Sequence, residues 1–298
     1  MCGIIGLLIK KPEWRESLGE LLVPMLIGMS DRGPDSAGLA IFTATLPDPH
    51  RKYSLYWSGK DCNWASLAQS FQTAFETTPD LQINQNQAVL TSEQPPNRIK
   101  QWLKTNQPHL HLLSTGRTID LYKDTGKPET VAERYHFKTL KGSHAIGHTR
   151  MATESAVTPA HAHPFTAGED FCLVHNGSLS NPYSIRRQLE PLGIHFETDN
   201  DTEAACRFLE WRMREGDDLE TAVQHGFAAL DGFYTFLMGT ADKLALVRDA
   251  FACKPAVVAE TADYVAIASE FRSLAHLPDV KNAHLYEPEP EELYVWTV

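Results

Sequence analysis

The chain has 298 residues, 42% of them hydrophobic, enough apolar material for one large core or two small ones. Its 38 Asp and Glu outweigh 27 Lys and Arg, and the net charge of -11 argues against a partner that is nucleic acid or an anionic membrane. The longest apolar run near the start, residues 21 to 29, is broken by Pro24 and is far too short to span a bilayer; with no secretory signal pattern either, the cytoplasm is the expected compartment.

In chain order, residues 2 to 9 read as an apolar strand ending at Lys10-Lys11-Pro12. Removal of Met1 would leave Cys2 with a free α-amine, so one residue would hold a thiol nucleophile and, at a pKa of about 7.7 to 8.0, its own base. A small apolar residue opening a buried strand is the competing reading of Cys2. Helical spacing follows over 13 to 29 through Leu18, Leu21, Leu22, Met25 and Leu26, then a strand at 37 to 43 beyond a Gly-Pro turn. Residues 44 to 52, with two prolines, read as a loop before a strand at 53 to 57, and a helix is predicted at 63 to 76. From 77 to 96 the chain turns polar, with Gln and Asn clustered between Gln82 and Gln87, and reads as a loop or insertion around a short strand.

A helix at 97 to 105, strands at 109 to 114 and 118 to 123, and one helical turn at 131 to 135 come next. The strand at 145 to 149 delivers Arg150, and that at 171 to 174 delivers Asn176 and Gly177 at its end. Asn200 with Glu203 three residues later has the form of a capping box opening a helix to Arg214, with Asp201 in its first turn. Strands are expected at 234 to 238, 244 to 248, 256 to 258 and 265 to 268, and Glu287 to Glu292 reads as a solvated acidic stretch before a last strand.

The five cysteines, Cys2, Cys62, Cys172, Cys206 and Cys253, are odd in number and lack C-x-x-C spacing, which favours neither a disulfide framework nor a zinc or iron-sulfur site. His161 and His163 are read as loop residues, having no cysteine or carboxylate partner nearby in sequence. No nucleotide or flavin fingerprint is present, so no cofactor or metal is expected in this chain.

Four segments complete the picture: Asp31-Arg32-Gly33-Pro34-Asp35-Ser36-Ala37-Gly38, Gly147-His148-Thr149-Arg150-Met151-Ala152-Thr153-Glu154-Ser155, His175-Asn176-Gly177 and Thr198-Asp199-Asn200-Asp201-Thr202-Glu203. Together with Cys2, and in this order, they resemble the class II glutamine amidotransferases of the N-terminal nucleophile hydrolase superfamily. Singly each has a structural reading: Arg150 an ion pair, Asp201 a carboxylate favoured by a helix dipole, Asn176-Gly177 a hairpin turn. The resemblance implies an α+β fold, a four-layer αββα sandwich of two antiparallel sheets, as a single domain over 1–298 with a polar insertion near 77–96.

It also implies roles. Cys2 is the catalytic nucleophile, with the Asn176 side-chain amide and the Gly177 N–H as oxyanion donors. Arg150 presents a forked cation to the substrate α-carboxylate, Asp201 an anion to its α-ammonium, and Thr153 a further contact to the carboxylate. Arg32, Gly33 and Asp35 form a supporting loop beside the nucleophile, with Gly33 and Gly38 allowing close backbone approach. Where many members of the family have Trp-Ala-Thr-His-Gly after the arginine, this chain has Met151-Ala152-Thr153-Glu154-Ser155, similar to the glutaminase domain of glutamate synthase. No role carries over to Glu154.

That variant resembles the separately encoded amidotransferase subunits of the N-methylglutamate synthase or GlxB type. The implied substrate is glutamine or γ-glutamylmethylamide. The implied partners are a glutamate-synthase-like flavoprotein, which would carry FMN and an iron-sulfur cluster, and a glycine-rich β-helical subunit. The absence of an acceptor domain before residue 298 favours such a subunit over a stand-alone γ-glutamyl amidohydrolase, or over a non-catalytic scaffold that retains Met1.

Overall fold

Alternation in the first strand sorts two layers of the molecule. In the computed structural model, which describes residues 2–59, 62–152 and 156–298, β1 (Gly3–Ile9) sends Ile5, Leu7 and Ile9 to one face and Ile4 and Leu8 to the other. The chain continues through α1 (Leu18–Ile27), β2 (Ser36–Phe42), β3 (Arg51–Trp57), α2 (Trp64–Phe75), β4 (Asp80–Asn84), β5 (Gln87–Ser92), α3 (Pro96–Asn106) and β6 (Leu110–Gly116). It returns through β7 (Ile119–Thr125), α4 (Pro128–Arg134), β8 (His144–Arg150), β9 (Phe165–Thr166) and β10 (Cys172–Leu179). Helices α5 (Pro182–Leu189), α6 (Asp201–Arg214) and α7 (Leu219–Ala229) follow. The last strands are β11 (Gly232–Gly239), β12 (Lys243–Arg248), β13 (Val257–Glu260), β14 (Tyr264–Ala268), β15 (His284–Tyr286) and β16 (Tyr294–Thr297).

Seven strands in the order β15-β13-β14-β1-β8-β2-β7 form one antiparallel sheet, and five in the order β16-β12-β11-β10-β9 form a second. Their inner faces meet through Ile4, Leu8, Phe42, Ile146, Val174 and Leu237, a core closed to solvent on both sides. Helices α1 and α4 cover the outer face of the first sheet, and α5, α6 and α7 that of the second. The result is the expected αββα layering. It exists because the central strands of the first sheet, such as β1, β2 and β8, are buried on both faces and need two partners.

A third sheet, β4-β5-β3-β6, carries its own core with α2 and α3, including Tyr53, Phe71, Leu90 and Trp102. The polar stretch at 77–96 is therefore no loop: it is the β4–β5 hairpin, with Gln85 in the left-handed region at its turn. Its polar residues face neighbouring layers rather than water alone. Asn84 donates to the Tyr135 carbonyl at 2.8 Å and Gln87 to the Lys123 carbonyl at 2.8 Å, so part of the polar composition marks inter-layer hydrogen bonds, while Gln82 and Gln85 are exposed.

Other boundaries shift for local reasons. The first helix begins at Leu18, since Pro12–Ser17 forms a tighter 3-10 turn. The turn expected at 131 to 135 is the two-turn α4, opened by Pro128 at its first position. Helices α5 and α7 were not predicted from sequence. Among the described residues, no helix is long and apolar enough to cross a membrane.

Candidate active site

Three strand parities and two registers bring Cys2, Arg150 and Asn176 to one end of the inter-sheet layer. On β1, Ile4 faces inward, so Cys2, two residues earlier, points the same way. On β8, Ile146 faces inward, and His148 and Arg150 follow it. On β10, Val174 faces inward, and Asn176 follows. Gly3 pairs with Thr149 and Ser36 with Arg150; one further step of the register sets Cys2 opposite Arg150. Three chemically distinct groups thus share one rim of the sandwich.

Cys2 is partly exposed and its Sγ lies 3.9 Å from the Met151 carbonyl oxygen. Burial pushes its thiol up, opposed by the Met151 contact and by the positive charges of Arg150 and Arg32. Arg32 donates from Nε to the Cys2 carbonyl at 2.9 Å and pairs through a terminal nitrogen with Glu270 at 2.7 Å. Glu270 in turn holds Arg272 at 2.7 Å, so a small ion network grips the backbone of Cys2. Sequence reading missed Glu270, because nothing local distinguishes it; only the return of β14 beside β1 brings it there.

Asp35 receives the Ala152 N–H at 2.8 Å, and its own N–H donates to the Arg150 carbonyl at 3.0 Å. It thereby shapes the chain on both sides of Met151. A Cβ at Gly33 would sit 2.4 Å from the Thr149 carbonyl carbon, which explains why that loop position has no side chain. The Arg150 side chain is 4% exposed and donates to the Ala156 carbonyl at 3.0 Å. Thr153 and Glu154 lie outside the described residues.

Asn176 and Gly177 depart from their expected place. They lie within β10, paired with Thr235 and Tyr234 of β11, rather than past the strand end or in a hairpin turn. The Tyr234 carbonyl receives the Asp249 N–H at 2.9 Å and its N–H donates to the Asp249 side-chain carboxylate at 2.9 Å, both on its far side, so Tyr234 turns no backbone group toward Gly177. The Gly177 N–H consequently points off the open edge of β10. The neighbours of the same parity confirm the direction: the His175 carbonyl receives His148 Nε2 at 2.9 Å and the Leu179 N–H donates to Asp201 at 2.9 Å. Gly177 has φ +147°, and a Cβ there would lie 1.9 Å from the Phe233 carbonyl oxygen, so no other residue fits.

Among the described residues the Asn176 Nδ2 is buried without a hydrogen-bond partner. An orphaned buried donor costs about 1–3 kcal/mol, and such a group in a folded protein calls for an explanation. A donor kept free for a ligand oxygen supplies one. Asn176 and Gly177 together can offer two N–H groups to a developing oxyanion.

Asp201 opens α6 with Asn200 as its N-cap, whose side chain receives the Thr202 N–H at 2.9 Å. The capping box is not reciprocal, however. Glu203 reaches past Asn200 to the N–H groups of Glu197 and Thr198 at 2.8 and 2.7 Å, because the preceding loop curls under the helix end. Beneath this rim lies a layer of buried histidines that sequence reading left without a role. His163 stacks on His148 at 4.0 Å, and the Thr202 hydroxyl bridges His163 Nε2 at 2.8 Å and His175 Nδ1 at 3.0 Å. Burial lowers all three, His148 to about 3, so they are neutral near pH 7. His163 is thus a loop residue that is buried and packed, and His161, which has no carboxylate nearby in sequence, bonds Asp199 at 2.8 Å across the fold. Among the described residues, no three His, Cys, Asp or Glu side chains are placed to hold a metal ion.

Comparison with known proteins gives a consistent set of likenesses. A model described as a glutamine amidotransferase domain matches residues 148–276. The chain is 43% identical, over 99% of its length and 98% of the relative's, to the glutamine amidotransferase-like protein GlxB of Rhizobium meliloti (strain 1021). It is 31% identical, over 99% of each chain, to a putative glutamine amidotransferase of Methanothermobacter thermautotrophicus (strain Delta H). Among solved structures, glutamine phosphoribosylpyrophosphate amidotransferase from B. subtilis superposes with a TM-score of 0.63 at 20% identity, covering 99% of this chain. The present chain spans about half of that protein, 47% of its length, and the likeness there is one of fold.

Proposed function

The chain belongs to the class II glutamine amidotransferases, and from that premise we propose that it is a glutaminase subunit serving a glutamate-synthase-like partner, N-methylglutamate synthase. Cys2, freed of Met1, attacks the side-chain amide carbonyl of glutamine or γ-glutamylmethylamide. Its α-amine takes the thiol proton and passes one to the departing ammonia or methylamine. The resulting γ-glutamyl thioester is hydrolysed by water to glutamate, and the oxyanion of each tetrahedral step falls to Asn176 Nδ2 and the Gly177 N–H. The observation that carries the reading is the buried Asn176 Nδ2, without a hydrogen-bond partner among the described residues, on the same inner rim as Cys2 and Arg150.

Recognition in this reading rests on two opposite charges, Arg150 for the α-carboxylate and Asp201 for the α-ammonium, aided by Thr153. Fixed opposite charges select a free α-amino acid over a peptide or a simple amide. Arg150→Lys is expected to raise the glutamine KM about tenfold or more, since a point charge cannot reproduce a two-pronged contact, and Asp201→Asn should act in the same direction. Steady-state kinetics check this: two variants that bind glutamine normally yet turn over slowly would reverse the assignment.

The partner would be a flavoprotein carrying FMN and an iron-sulfur cluster, with a glycine-rich β-helical subunit beside it, making glutamate or N-methylglutamate from 2-oxoglutarate. Support for it comes from the end-to-end similarity to the GlxB relative and from the Met151-Ala152-Thr153-Glu154-Ser155 variant. Affinity capture from the native source, with turnover of both amides and N-terminal mass analysis, tests the reading. Cys2 as the mature N-terminus and a copurifying flavoprotein are expected; a lone chain hydrolysing glutamine at full rate would defeat the subunit assignment.

A further inference from the structure

Lys123 is a fully buried cation on the inner face of β7, 5% exposed, with no carboxylate salt-bridge partner among the described residues. Its ammonium is spent on one stretch of backbone. Nζ donates to the carbonyls of Ala162 at 2.8 Å, Pro164 at 3.2 Å and, more weakly, Ala160 at 3.4 Å, and it lies 4.7 Å from the Phe165 ring centroid. That stretch can reach Lys123 only because the facing residue is Gly38, where a Cβ would lie 2.0 Å from the His163 carbonyl oxygen.

The clamped segment is the return limb of the chain that leaves Arg150. Its outgoing limb carries Ala156, whose carbonyl receives the Arg150 guanidinium, and its return limb carries His163, which stacks on His148 and bonds the Thr202 hydroxyl beside Asp201. We propose that Lys123 is a positioning residue for the amino-acid pocket: its ammonium fixes the backbone of 160–164 and so sets both the Arg150 and the Asp201 ends of the site. This rests on the glutamine-site reading above.

A charge with only carbonyl dipoles for partners is costly to bury. Burial brings the Lys123 pKa down to about 8, although Glu197, Glu203 and the Cys206 thiol raise it somewhat. From α6 Arg207, from β6 His111 and from α3 Lys100 line the same cleft, and His163 lies on the clamped segment itself. The clamp therefore has its charge and all three donors below about pH 8 and is weakened above it, where the neutral amine keeps two donors and loses the charge. The effect on stability has the opposite sign. Between about 8 and its ordinary 10.5 the unfolded chain binds the proton that the folded chain has lost, so this group makes the fold more stable as pH rises through that window.

Lys123→Met keeps the stem and removes the charge. With the processed full chain, and its partner where activity needs one, the variant is expected to raise the glutamine KM about tenfold with kcat changed less than about threefold. Its Tm should be no lower than that of the unmodified protein, and amides of residues 156–165 should exchange faster. In the unmodified protein KM should climb as pH passes about 8, and climb more than in the variant. The substrate α-amine titrates in both proteins, so the difference between them is the readout. An unchanged KM in Lys123→Met, identical pH profiles, or a fall of Tm that tracks the KM rise would each overturn the clamp. Absence of glutamine hydrolysis in the unmodified protein would instead overturn the glutaminase reading and the clamp together.

Discussion

Processed Cys2→Ala protein is expected to fold normally, to release no ammonia from glutamine and to resist labelling by glutamine-like electrophiles. The two outcomes separate because Cys2 contributes little to the fold. Ladder pairing of β1 begins at Gly3, the thiol makes only a long contact of 3.9 Å, to Met151, among the described residues, and the Arg32 bond runs to the Cys2 carbonyl, which Ala retains. A thermal shift within the range of a surface substitution, about 0.5 kcal/mol, is expected. Cys2→Ser should also lose nearly all hydrolysis, since its hydroxyl is a far weaker acid and a poorer nucleophile than the thiol. Hydrolysis persisting at full rate in the processed Cys2→Ala protein would remove the nucleophile assignment. Because burial raises the thiol pKa, the rate in unmodified protein should rise with pH as thiolate or neutral amine is formed.

The second large effect is expected at Asn176. Loss of one oxyanion donor costs about 10² to 10³ in rate, so Asn176→Ala should lower kcat by that factor while the glutamine KM moves little. Stability should respond weakly, since among the described residues the amide nitrogen has no hydrogen bond to lose and its desolvation penalty of about 1–3 kcal/mol disappears with it. A structural asparagine would behave in the reverse way, with a large fall in Tm and a modest change in kcat. Kinetics and a thermal melt on the same preparation decide between the two.

How much of this was legible beforehand depends on the range of the physics. Hydrophobic alternation is a local signal, and the strands at 2 to 9, 37 to 43 and 145 to 149 were read within a residue or two of their ends. The hairpin at 80–92 was missed because Asn84 and Gln87 are polar for a non-local reason, bonding Tyr135 and Lys123 in another layer. The apolar run stops at Val174, which puts Asn176 and Gly177 at a strand end, and Asn-Gly by itself is a local turn signal. The pairing of β10 with β11 overrides that signal, and the unusual φ of Gly177 is absorbed inside the strand.

The amino-acid sequence by itself determined the family, through Cys2 and four ordered motifs, and the layered character of the fold, through strands apolar on both faces. Chemical identity and nearest-neighbour alternation suffice for both. Only the tertiary structure decided which groups remain free to act and which are spent. The Gly177 N–H faces an open edge because Tyr234 turns its backbone toward Asp249; the Asn176 Nδ2 is buried with no partner among the described residues; Glu270 meets Arg32 from 238 residues away. Lys123, an unremarkable cation in an alternating strand, becomes a buried clamp through Gly38 opposite it and a loop that crosses both. Such availability is a property of packing, which sums over residues far apart in the chain, and no local pattern carries it.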